Sequence, residues 1–201
     1  MRCANRRCAR RCSGCSVGSG PVVDRWFFAL WPPPALRRAL CERMPGWLPP
    51  GGRLAHGEDL HLTLVFLGAL TPSQRDPVIA AADRVAGAPF ELVLRCLGHF
   101  PRVGVAWCGP EPEPSALLQL HQALVALQHE CRLPLERRPY RPHLTLARRS
   151  GAPAANFGSP LSWSVGDFVL ARSVPGHLPR YRVERRWPLR PGYDLGPSPM
   201  Q

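Results

Sequence analysis

The tetrapeptide His61-Leu62-Thr63-Leu64 returns unchanged as His143-Leu144-Thr145-Leu146, and the rest of the chain is read from this repeat. Threonine occurs only three times in 201 residues, and two of the three lie in these copies. Each copy sits in an apolar, β-prone run bounded by glycine or proline, HLTLVFLG at 61–68 and HLTLARR at 143–149, so both read as strands. Side chains on a strand alternate between faces, which predicts His61, Thr63 and Val65 on one side and Leu62, Leu64 and Phe66 on the other. The leucines then face a core and the His-Thr pair faces a cleft. An imidazole titrates near neutrality and a threonine hydroxyl is a neutral donor, so two such faces suit one tetrahedral anion. A single copy is ordinary alternation on a half-exposed strand. A matched pair in a threonine-poor chain is not explained that way.

The length fits one domain or two small lobes and is enough to bury a core without disulfides. The formal charge is +12, carried by arginine alone because the chain has no lysine. Guanidinium groups suit bidentate contact with phosphate, so an anionic partner is expected, nucleic acid first. Five of the arginines lie in the first twenty residues, so the body is less basic than the total implies. Four cysteines (Cys3, Cys8, Cys12, Cys15) crowd that same stretch. The other four (Cys41, Cys96, Cys108, Cys131) are scattered and read as small buried hydrophobes in a reducing compartment. Nothing in the chain resembles a secretory leader, and no apolar run approaches a membrane span. The expectation is a cytoplasmic protein with no membrane contact and no obligatory protein partner.

Residues 1–23 are Arg, Cys, Ser and Gly without apolar periodicity, and are expected to form a disordered extension. The alternative for them is a metal site at Cys12-Ser13-Gly14-Cys15, but the remaining spacings match no zinc pattern. From Asp24, Arg25–Leu30 reads as a first strand stopped by three prolines, with a helix at 35–47. Thr71, Pro72 and Gln74 form a capping-box signature opening a helix to about 86. Strands follow at 90–96 and 103–108. Leu117, Leu120, Leu124, Leu127 and Cys131 then recur at helical spacing over 115–132. His121 and His129 fall on that helix, as a packing and a solvated residue respectively. After the second motif come strands at 163–173 and 181–189, and an irregular tail from 191. Strand-helix-strand-helix-strand thus occurs once before residue 100 and once after it. This predicts an α+β domain over 24–190 with two pseudo-symmetric lobes, each a mainly antiparallel sheet with helices outside, their motif strands lining a shared central cleft.

The two motifs resemble the two-histidine phosphoesterase superfamily, and within it the LigT-like branch of RNA 2',3'-cyclic phosphodiesterases. RWFFALWPP (25–33), LGHFPRVGVAW (97–107), RPHLTLAR (141–148) and RYRVERRWPL (180–189) are similar to stretches of that branch in the same order. The likeness covers about residues 24–190. It implies hydrolysis of RNA 2',3'-cyclic phosphate ends to a 2'-phosphate, with His61 as proton donor and His143 as proton acceptor. Arg148, five residues after His143, matches an arginine that would bind phosphate together with Thr63 and Thr145.

The residues themselves supply a base, an acid and oxyanion donors without metal or cofactor, though they do not say which histidine plays which part. A zinc reading of the histidines is weaker because no carboxylate or cysteine joins them at ligand spacing. Phe28 could stack on a terminal base, or equally be a core phenylalanine. Two rival functions remain. One is 2'-5' ligation of RNA, the reverse reaction, which an assay with and without a 5'-hydroxyl RNA separates. The other is a binding module without turnover, against which the two intact histidines argue.

Overall fold

The computed structural model describes residues 24–190. The extension at 1–23, its Cys12–Cys15 motif and the tail at 191–201 lie outside them. Nine strands and three helices make an α+β fold, with all nine strands in one antiparallel sheet. They are β1 (Arg25–Leu30), β2 (Arg53–Leu54), β3 (Leu62–Ala69), β4 (Phe90–Phe100), β5 (Val105–Pro110), β6 (Leu144–Arg148), β7 (Leu161–Val165), β8 (Asp167–Ser173) and β9 (Tyr181–Pro188). The helices are α1 (Pro34–Trp47), α2 (Pro72–Ala82) and α3 (Ser115–Glu130).

The sheet order is β7-β4-β5-β6-β3-β1-β8-β9, with β2 pairing β6. Two halves, β7-β4-β5-β6 with β2 added beside β6 and β3-β1-β8-β9, therefore meet where β6 touches β3, through the single pair Leu62 and Leu144. Each half contains a strand-helix-strand unit that ends in a motif strand, β1-α1-β3 in one and β5-α3-β6 in the other. β1 and β5 are flanked on both sides within their halves, and after Arg25 every residue of both strands is buried. This is why RWFFAL and VAWCGP read as nearly unbroken apolar runs.

The halves are not the sequence-contiguous lobes that the order of elements predicts. β4 lies before residue 100 yet pairs with β5 and β7, while β8 and β9 return to pair with β1. The crossing occurs at Gly166, which splits the single strand expected at 163–173 into β7 and β8. A continuous apolar pattern runs through the split because both pieces feed the same core, which contains Trp163, Val165, Phe168 and Leu170.

The helices cover the leucine face of the sheet. Leu36, Leu40, Met44 and Trp47 of α1 and Leu117, Leu120, Leu124 and Leu127 of α3 join Leu62, Leu64, Leu144 and Leu146 in one core. Thr71 and Gln74 form the expected capping box, with both reciprocal bonds present. α2 ends at Ala82 rather than near 86, because Arg84 and Val85 close tighter turns onto Ala81 and Ala82 before Gly87. Cys108 is fully buried, whereas Cys41, Cys96 and Cys131 are half-buried, and all four thiols are free.

β3 diverges from β6 beyond Leu62, and side chains from α3 take up the carbonyls of the splayed strand. His121 donates Nδ1–H to Leu64 (2.9 Å) and Gln128 donates to Phe66 (2.8 Å). His121 also stacks on Tyr140. It is a packing residue as expected, and His129 is exposed. Gln128 is fully buried and donates to the Pro134 carbonyl as well, so Gln128→Leu removes two hydrogen bonds and is expected to cost about 1–3 kcal/mol in denaturant unfolding. His129→Ala, one residue on, should stay within about 0.5 kcal/mol.

Candidate active site

The strand pairing brings the two motifs together. With Leu62 opposite Leu144 in an antiparallel pair, His61 falls beside Thr145 and Thr63 beside His143, all four on the face away from the helices. The backbone holds each histidine in the same way. His61 Nδ1 lies 2.6 Å from the Asp59 carbonyl and His143 Nδ1 lies 2.7 Å from the Arg141 carbonyl. A carbonyl can only accept, so each ring carries its proton on Nδ1 and keeps the Nε2 lone pair. Both contacts are to the residue two positions earlier, so the repeat extends to the bonds that orient the rings.

A bulge follows in both motif strands. Ala29 and Phe28 on β1 pair with Thr63 and Val65, and Trp107 and Ala106 on β5 pair with Thr145 and Ala147, so Leu64 and Leu146 are each the extra residue. An extra residue reverses the alternation beyond it. Val65, expected in the cleft, is therefore buried, and Phe66, expected in the core, is 52% exposed and packs on Phe27 on the cleft face. The same device delivers Arg148 to the histidine face, although it shares parity with Leu144 and Leu146. Phe66 and Arg148 thus occupy matching positions, each five residues after its histidine.

His61, Thr145 and Arg148 line a cavity of about 330 Å³ with Arg53, Leu54, His56, Asp59, Leu178, Arg180 and Tyr181. Aromatic rings surround both imidazoles. Trp31 stacks on His61, with Phe27 and Tyr181 against its other sides, while Phe100 meets His143 edge-on and Trp107 lies 6.1 Å away. Trp107 lies flat over β4 because position 98 is glycine, where a β-carbon would stand 2.0 Å from its ring. Asp59 ties this site to β9. Its carboxylate accepts the backbone N–H groups of Arg180 (2.7 Å) and Tyr181 (3.1 Å), while its carbonyl orients His61.

Burial pushes the His61 imidazole down to about 4, and the neighbouring His143 and Arg148 push the same way against the bond to Asp59. Burial also lowers His143, helped by Arg148 and Arg141. Both rings are therefore neutral in the free protein at neutral pH. Among the described residues no three His, Cys, Asp or Glu side chains gather as a metal-binding set. No helix there is long and apolar enough to cross a membrane.

The predicted residues His61, Thr63, His143, Thr145 and Arg148 all lie on one face. Phe28 does not: it is fully buried, edge-on to Phe168 and Trp187, so the core alternative holds for it. Sequence reading missed Arg53, because a two-residue strand carries no periodic signal. It also missed Asp59, Trp31 and Tyr181, whose roles depend on contacts made across the fold.

Residues 32–174 match the family model described as the 2'-5' RNA ligase superfamily. The RNA 2',3'-cyclic phosphodiesterase of Escherichia coli K12 is 31% identical over 170 residues, covering 83% of this chain and 97% of the relative. The chain belongs to the 2'-5' RNA ligase superfamily. Another relative, the RNA 2',3'-cyclic phosphodiesterase of Thermus thermophilus, is 34% identical over 83% of this superfamily member and 90% of its own length. Among solved structures, E. coli LigT complexed with 3'-AMP superposes with a TM-score of 0.74 at 30% identity, covering 83% of this chain and 98% of LigT. TT0787 of T. thermophilus gives 0.70 at 31% identity, covering 84% and 100%. The α+β architecture is thus that of LigT within the superfamily.

Proposed function

We propose that the protein hydrolyses RNA 2',3'-cyclic phosphate ends to 2'-phosphomonoesters by metal-independent acid-base catalysis at His61 and His143. The observation that carries this reading is the antiparallel juxtaposition of two His-Thr pairs whose rings are both tied through Nδ1. In-line attack on phosphorus needs a base for the water proton and an acid for the departing ribose oxygen. Two Nε2 atoms on one face supply both, and each step contributes roughly 10²–10⁴-fold. The Thr63 and Thr145 hydroxyls, with the Arg148 guanidinium, hold the non-bridging oxygens as charge moves onto them. The relatives' activity supports the substrate class.

His61 serves as the acid and His143 as the base, the assignment that the superfamily resemblance implies. An acid must arrive protonated, yet the free His61 ring is held near 4. A bound phosphate between the two pairs places negative charge beside it and raises its affinity for a proton. The sign follows: loss of the acid at rising pH should fall at lower pH in kcat/KM, which reports the free enzyme, than in kcat, which reports the complex. Steady-state rates across about pH 4–9 check this, and coincident alkaline limbs would count against His61 as the acid.

The deciding experiment is product analysis on an oligonucleotide ending in a 2',3'-cyclic phosphate, with 2'- and 3'-phosphates resolved. A 2'-phosphate is expected, and absence of turnover would favour a binding module. The family's name makes the ligation reading worth an added arm with a 5'-hydroxyl RNA, because the reverse reaction uses the same acid, base and oxyanion donors.

A further inference from the structure

One end of the cleft carries more positive charge than the reacting phosphate requires. Arg53 on β2 and Arg148 on β6 are directly opposed in an antiparallel pair, so their side chains share a face. Like charges placed opposite each other destabilise a sheet, and no ion pair with an acid relieves either of them among the described residues. Arg180 lines the same cavity and is likewise unpaired among the described residues. The one carboxylate in the cavity lining, Asp59, is already committed to the backbone N–H groups of Arg180 and Tyr181. Three arginines lining one cavity, none paired with an acid among the described residues, make it a site for an anion.

Its distance from the chemistry indicates which anion it takes. Thr145 and Arg148 pair with Trp107 and Val105, two residues apart on β5, which puts about 7 Å between their backbones along the strand, a gap that the long Arg148 side chain must cross to reach a phosphate held at Thr145. Arg53 is opposite Arg148 at that level. A single nucleotide step covers this separation. We infer that Arg53 and Arg180 form a subsite for the phosphate on the 5' oxygen of the terminal nucleoside, so that the enzyme selects phosphorylated or chain-linked ends over a bare nucleoside 2',3'-cyclic phosphate. This rests on the proposed hydrolysis and adds to it a second phosphate and the residues that hold it.

The test compares adenosine 2',3'-cyclic phosphate, the same nucleoside bearing a 5'-phosphate, and the dinucleotide ApA ending in a 2',3'-cyclic phosphate. Both substrates with a second phosphate should exceed the bare nucleoside by on the order of tenfold in kcat/KM, mostly through KM. A dinucleotide with an uncharged methylphosphonate linkage should lose that gain. Arg53→Gln with Arg180→Gln should remove most of the tenfold from the charged substrates while costing the bare nucleoside less than about threefold. Each contact removed should also weaken the salt dependence of KM for the dinucleotide. Arg53→Lys with Arg180→Lys, which keeps the charge, should restore part of the preference and controls for misfolding.

Equal kcat/KM for all three substrates overturns the subsite while leaving the hydrolytic reading standing. Faster turnover of the dinucleotide alone, with or without its charge, also overturns it and assigns the gain to the second nucleoside. Failure to hydrolyse any of the three substrates removes both readings together.

Discussion

Alanine at His61 or at His143 is expected to lower kcat by at least about 10²-fold each, the lower end for loss of a general acid or base. The two rings have equivalent supports, each donating Nδ1–H to a carbonyl two residues back and each beside the other strand's threonine. In the proposed mechanism the acid and the base act in one displacement, so the double variant should lose far less than the product of the single losses. Ground-state binding should suffer less than turnover at His143, whose neutral imidazole adds little attraction for phosphate, whereas loss of the His61 ring, which gains its proton in the complex, should weaken binding as well. Single-turnover kinetics on a cyclic-phosphate oligonucleotide measure all three variants. One dead variant beside one near wild-type would mean a single catalytic strand, and the paired mechanism would be wrong.

Arg148→Ala should cost on the order of 10²-fold in kcat/KM, comparable to removal of one oxyanion donor. Arg148→Lys should recover only part of it, because an ammonium cannot offer the two parallel bonds of a guanidinium. The internal control is Phe66, which has the same place relative to His61 that Arg148 has relative to His143, after an equivalent bulge. Phe66→Ala removes no charge and should cost less than about tenfold on the same substrate. The cleft is therefore cationic at one end and aromatic at the other, although the motifs that build it are identical. Equal losses at both positions would show that the bulge merely exposes these side chains and that Arg148 makes no charged contact with substrate.

Several features were legible in the order of residues before any contact was known. The duplicated His-x-Thr pattern located both motif strands and the pair of histidines. Thr71, Pro72 and Gln74 announced α2, and the leucine spacing of 117–127 announced α3 with His121 on its packing side. These are local signals. A cap acts within four residues, and a helical stripe repeats every turn, so the information lies in adjacent letters.

The remaining features came from packing across the fold. Whether Phe66 and Arg148 face the core or the cleft depends on the bulges at Leu64 and Leu146, and a bulge is a mismatch of count between two strands, invisible in either one. The return of β8 and β9 to the first half depends on a crossing at Gly166 inside one uninterrupted apolar pattern. Phe27 and Phe28 are adjacent and chemically identical, yet one supports His61 while the other fills the core, because β1 is buried on both faces and composition no longer distinguishes them. The pairing of Arg53 with Arg148 likewise arises from a strand too short to show a period. Periodicity reports which side of an element is apolar; register between elements decides which residues meet, and register is set by the packing of the whole sheet.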